Sequence, residues 1–192
     1  MAQRLLVVAH AATSATRALV FGDSDQLPSG EVRRLSGRVV SWRSGPEEAC
    51  KSTAVGLGGR AEPLPDLREC DFGAWTGRAL VDIAVDDPAG LDSWLRDPHA
   101  APHGGESLTK LINRVGHTLD DHLWPDGRTV VVVTSLVARA LIVHALGANP
   151  EVIFHIDIRP LGRASLSRSN SAWRLAGLEP GGTLGLHSSS RS

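Results

Sequence analysis

The chain is poor in cysteine: Cys50 and Cys70 are the only two among 192 residues, so no dense disulfide framework can brace it. It has no excess of charge of either sign. Twenty Lys and Arg stand against 21 Asp and Glu, which excludes the overall basic field that nucleic acid or an anionic membrane surface requires. Any anionic ligand must therefore be met by local groups. Long apolar runs are missing as well. The stretch at residues 5–9 is too short for a signal-peptide core, and nothing approaches the roughly 18 apolar residues that cross a bilayer. No internal repeat is visible. The expected setting is the cytoplasm, with a small molecule as partner and neither nucleic acid nor a membrane.

What is present is a globular composition, 42% hydrophobic and 21% charged, over a length that fits one domain with one sizeable core. Residues 4–9 (RLLVVA) form a continuous aliphatic run, the pattern of a strand covered on both faces. A second such run lies at 129–134 (TVVVVT). Leu108, Leu111, Ile112, Val115, Leu119 and Leu123 recur at helical spacing, with Glu106 and Ser107 at the start. Ala138, Leu141, Ile142 and Ala145 repeat likewise until Gly147 and Pro150 stop them. A strand is expected at 38–41 and a helix from Pro46 to about Leu57, since proline fits a first helical turn. Residues 22–30 and 73–105 read as loops or an insertion, with a short helical patch at 91–95. Residues 164–168 and 172–175 suggest a closing hairpin around Ser169-Asn170. From residue 181 the Gly and Ser composition points to a frayed tail, leaving 1–180 as the single domain. Alternating strands and helices make the class α/β.

In an open α/β sheet, ligands sit beyond the carboxyl ends of the strands. His10 follows the first strand, and Thr134 and Ser135 close the later one. A histidine there is a candidate nucleophile or acid–base group; the alternative is a strand-end histidine with no chemical role.

These residues carry a resemblance. Ala9-His10-Ala11-Ala12-Thr13 resembles the R-H-G-E-T opening of the histidine phosphatase superfamily, and residues 67–77 (LRECDFGAWTG) match its L-x-E-x-x-F-G-x-W-x-G pattern. His103-Gly104-Gly105-Glu106-Ser107 is similar to its P-G-G-E-S loop, and residues 133–147 are similar to its S-H-G-G-x-x-R-A-L-L-x-H-A-L-G segment. The resemblance, to the small cobalamin-type phosphatase branch, covers about residues 4–178. It implies a three-layer, phosphoglycerate-mutase-like α/β sandwich with a mostly parallel central sheet and an inserted cap at about 76–105.

Carried over residue by residue, the resemblance gives His10 the nucleophile position and Glu69 that of the general acid. The arginine before the histidine is Ala9 here, the arginine of the helix after strand two is Ala49, and the second histidine falls on Thr134, or on Ser135 if the alignment slides by one. Phosphoryl transfer depends on charge around the equatorial oxygens, and one transition-state arginine can carry about 10³ to 10⁵ in rate. Arg17, Lys51 and Arg139 are the nearest candidates in sequence to take the place of what is gone.

Without flanking arginines, His10 is expected to protonate more easily and Glu69 to ionise less easily. The first reading is therefore a repurposed enzyme in which His10 and Glu69 do acid–base chemistry on a small, unphosphorylated molecule. Thr134, Ser135, Arg17, His103 and Trp75 are expected to contact that substrate, with no metal and no cofactor. His117 and His122 are five apart and do not share a helix face, and His144 is expected to pack with its ring satisfied. Two alternatives stay open: a weak or rearranged phosphatase working through phospho-His10, and a catalytically silent binding protein. Dimerisation to a homodimer is left open too.

Overall fold

The computed structural model describes residues 3–22, 32–169 and 172–181. Six strands form one sheet: β1 (Gln3–Ala9), β2 (Ser41–Ser44), β3 (Glu62–Pro63), β4 (Gly127–Val133), β5 (Arg163–Ser169) and β6 (Ala172–Glu179), in the order β3-β2-β4-β1-β5-β6. β1, β2, β3 and β4 run parallel, while β5 and β6 are antiparallel additions. β1 and β4 lie side by side at the centre, Ala9 level with Val133, so His10 and Thr134 emerge together at one end. The uninterrupted apolar runs follow from this placement: Leu5 through Ala9 and Val130 through Val133 are buried on both faces.

The helices are α1 (Ser14–Ala18), α2 (Glu48–Leu57), α3 (Leu80–Asp86), α4 (Pro88–Arg96), α5 (Leu108–Asp121) and α6 (Ser135–Ala145). One face of the sheet packs on α5 and α6 in the main core, through Leu5, Val7, Val131, Leu111, Val115 and Leu141 among others. α2 seals the other face over Leu6, Val8, Val130 and Val132 with Cys50, Ala54 and Leu57. Among the described residues, no helix is long and apolar enough to cross a membrane.

Several expectations shift. The strand expected at 38–41 begins at Ser41, because the parallel ladder to β4 engages Ser41 through Ser44; Val39 packs against the α2 core instead. α2 starts at Glu48, with Glu47 rather than Pro46 at its boundary. α5 ends at Asp121, and Leu123 is 92% exposed rather than part of the apolar stripe. The 73–105 stretch is more ordered than a loop: it carries α3 and α4, and the Asp87 carboxylate accepts from the N–H of Gly90 to cap the latter. The short α1, held by a Thr13/Thr16 capping box, had no apolar period to announce it. β5 and β6 pair as the expected hairpin, while Asn170 of its turn, most of the 22–30 loop and the tail beyond 181 lie outside the described residues.

The two glycine-rich segments lock together. Ala74 N–H donates to the His103 carbonyl at 2.9 Å, Glu106 N–H donates to that of Asp71 at 2.7 Å, and Gly105 N–H donates to His103 Nδ1 at 3.1 Å. A Cβ at Gly73 or Gly105 would overlap a carbonyl oxygen of the facing segment, and Gly73 also has φ +45°. Gly105→Ala is expected to destabilise the fold by about 1–3 kcal/mol, seen as a lower urea midpoint at unchanged slope, because backbone rather than a movable side chain must yield.

Candidate active site

The carboxyl ends of β1 and β4 open into a cavity of about 610 Å³. Its polar lining includes His10, Glu69, Thr134, Ser135, Arg139 and Arg159; Phe21, Phe72, Leu80, Trp94, Leu136 and Phe154 contribute apolar wall.

His10 is 3% exposed. Its Nδ1 lies 2.8 Å from the Ala11 carbonyl, and since a carbonyl only accepts, Nδ1 carries the proton and Nε2 holds the lone pair. The expectation that His10 protonates easily is corrected. Burial holds it below the ordinary histidine value and outweighs both the Ala11 bond and the negative charge of Glu47. Glu69 follows the expected direction. Burial pushes its carboxyl up to about 7, aided by the Glu47 charge and opposed by the Cys70 N–H, the Thr134 hydroxyl and the Arg139 guanidinium. The Cys70 N–H donates to its Oε1 at 2.8 Å.

Thr134 caps α6: its hydroxyl oxygen accepts from the N–H of Val137 at 3.3 Å while its proton reaches the Glu69 carboxyl. Of the two positions left open, Thr134 thus touches the Glu69 carboxyl, and Ser135 lies beside it on the cavity wall. Arg139, one helical turn further along, also faces the cavity. Burial lowers its basicity, and its Nε is buried without a hydrogen-bond partner.

Arg17, Lys51, His103 and Trp75 do not line the cavity. Lys51 pairs with Glu48 at 2.8 Å, a contact one helical turn along α2 that turns it away. His103 and Trp75 are 4% and 3% exposed, packed ring to ring at 5.0 Å behind Phe72 and Trp94. They build the wall from behind, because a Gly-Gly loop docked backbone to backbone carries its flanking histidine inward. His144 bonds Asp120 at 2.8 Å through Nε2. Among the described residues, no three His, Cys, Asp or Glu side chains gather as a metal-binding group.

Arg159 on the cavity wall and Glu47 beside Glu69 are residues to which the sequence does not point. Glu47 is 8% exposed; its Oε1 accepts from the N–H of Glu69 at 2.6 Å, and its Oε2 is buried with no hydrogen-bond partner. Its charge acts on His10, Glu69 and Cys50 alike. In Gly45-Pro46-Glu47-Glu48 it reads as a solvated helix-start glutamate, and only the close approach of residue 69 reveals otherwise. Both cysteines are free and buried, and burial raises both thiols above their usual range.

Comparison with known proteins agrees with this architecture. The profile of the histidine phosphatase superfamily (branch 1) matches residues 33–179. The chain is 33% identical over 145 residues to the bifunctional protein Rv2228c of Mycobacterium tuberculosis, covering 71% of this chain and 39% of that protein. It is 34% identical over 86 residues to phosphoserine phosphatase 1 of Hydrogenobacter thermophilus, covering 42% of this chain and 40% of that one. The chain thus spans about two fifths of the length of the curated relatives it matches. Its fold superposes on mycobacterial glucosyl-3-phosphoglycerate phosphatase with a TM-score of 0.73 at 22% identity, over 92% of this chain and 98% of that one. With the matched profile spanning most of the sequence and a mixed sheet whose β1 end brings His10 to the cavity that Glu69 also lines, the chain belongs to the histidine phosphatase superfamily, branch 1.

Proposed function

We propose that the chain is an enzyme of this fold that performs acid–base chemistry on a small, unphosphorylated molecule, with His10 accepting a proton and Glu69 donating one. The observation that carries this reading is Glu47. The charge acting on the imidazole is a carboxylate, whereas Arg139 acts on Glu69. A carboxylate whose charge reaches the imidazole repels a phosphoryl group carried there, and the largely apolar cavity wall suits a neutral substrate. His10 kept neutral by burial and Glu69 protonated up to about 7 are in the working states for base and acid together in mildly acidic to neutral solution.

A second reading has its own support. The profile match, the likeness to a phosphoserine phosphatase, and Arg139 and Arg159 on the cavity wall fit hydrolysis of a phosphate ester through phospho-His10. Acid-sparing detection of phosphohistidine after incubation with p-nitrophenyl phosphate separates the two. The first reading expects no labelling and hydrolysis no faster than with His10→Asn. It further expects a panel of neutral esters and lactones to contain a substrate whose turnover is lost in both His10→Asn and Glu69→Gln. Stoichiometric phosphate on His10 would overturn it in favour of the second.

A further inference from the structure

The two faces of the sheet are not equally covered. α2 seals its side over β4 and the neighbouring half of β1, and among the described residues the buried cluster there includes nothing from β5 or β6. Strand alternation gives this same side Arg4, Arg128, Arg163, Ser165 and Ser167. The register stacks them: Arg4 lies level with Arg128 and Ser167, Leu6 with Ser165, and Val8 with Arg163. Together with Arg38 and Glu179 they line a separate hollow of about 350 Å³.

Four guanidinium groups thus share one hollow with one carboxylate among the described residues. Among the described residues, no carboxylate oxygen lies within ion-pair distance of Arg4, Arg38, Arg128 or Arg163. Arg128 is held in place by donating to the Ser36 carbonyl at 2.8 Å. Other arginines of the chain do find acids: Arg96 bonds Asp92 at 2.7 Å and Arg159 bonds Asp157 at 3.0 Å. In a protein with a net charge of -1, acids are not scarce, so this gathering of like charge calls for a counter-anion.

We infer that this hollow binds a small polyphosphate group, using the arginines as forked donors and the Ser165 and Ser167 hydroxyls to complete the contact. Guanidinium forks match phosphate oxygens two at a time, and donors approaching from three strands and the segment before β2 suit a tetrahedral chain better than a flat carboxylate. The size is at the lower end for small-ligand sites, and the charge is confined to one hollow rather than drawn out into the stripe that a nucleic acid follows. The hollow and the cavity at His10 share no lining residue: Arg163, level with Val8, is the hollow's near end, and Arg4 lies six residues, about 20 Å, back along β1 from His10.

Calorimetric titration of the full chain with inorganic triphosphate tests the proposal. One saturable site is expected, weakened at least about tenfold in Arg4→Gln/Arg163→Gln and by high salt, but unchanged in His10→Asn. ATP run in parallel distinguishes the source of the phosphate chain: affinity equal to that of triphosphate marks a free polyphosphate, and tighter binding with the same arginine dependence marks a nucleotide. Binding that is absent, indifferent to the double variant, or abolished by His10→Asn would overturn the assignment.

Discussion

Glu69→Gln is expected to stabilise the fold at pH 8 by on the order of 3 kcal/mol while changing little at pH 4.5. The folded carboxyl keeps its proton up to about 7, whereas in the unfolded chain it releases it around the ordinary value of 4.5. Between those limits the unfolded state ionises and the folded state does not, so stability drains away as pH rises, and above about 7 the loss is complete. Glutamine cannot ionise, yet its Oε1 can still accept from the Cys70 N–H, so the variant escapes the loss without orphaning that donor. Thermal midpoints at the two pH values provide the check. With roughly 2–4 °C per kcal/mol for a chain of this size, the variant should lead by about 6–12 °C in alkaline solution.

His10 makes the difference measurement necessary. Its folded value is depressed, so its contribution is present above the ordinary histidine value and lost as pH falls through the depressed one. The two site residues therefore tilt the stability curve in opposite directions over overlapping windows, and the parent curve alone hides both. Subtracting parent from variant leaves Glu69 by itself. A gap between the two proteins that does not widen with pH would show that the carboxyl is already ionised in the native state, and would remove the proton donor from the proposed mechanism.

How far the sequence led depends on whether each residue's role was local. β1, β4, α5 and α6 were legible because continuous or helix-spaced apolar residues are the burial pattern itself, and the ends of β1 and β4 located His10 and Thr134. Glu69 came through resemblance rather than periodicity. The misses share a cause. Glu47 looks like an ordinary helix-start acid until residue 69 arrives beside it from 22 positions away, and His103 looks like a loop residue until the backbone of 71–74 clamps its loop. Arg17 and Lys51 are cations near the right place in sequence, but nothing in a one-dimensional pattern says that Lys51 turns along its own helix to Glu48.

Arg114 is the strongest such case, and its replacement by Met is expected to cost about 3–5 kcal/mol, a fall in Tm of roughly 6–20 °C. Within α5 it sits between Leu111 and Val115 and reads as a surface charge, yet its side chain is 13% exposed and that of its partner Glu106 is 11% exposed. The pair is bidentate, Nε to Oε1 at 2.9 Å and Nη2 to Oε2 at 2.6 Å. The remaining donors go to the carbonyls of Asp66 at 2.7 Å, Arg68 at 3.1 Å and Glu69 at 3.4 Å, so this one guanidinium fastens the segment that carries the acid to the helix behind it. Removing it leaves a buried carboxylate uncompensated and three carbonyls without a donor. Arg114→Met/Glu106→Leu removes the stranded charge and should recover much of the stability, but it restores none of the bonds to 66, 68 and 69. In that double variant the Glu69 carboxyl, no longer held in place, should titrate nearer the ordinary glutamate value, and the pH-dependent lead of Glu69→Gln should shrink with it. A double variant that recovers its Tm and keeps the full alkaline gap would show that Arg114 stabilises the fold without positioning Glu69.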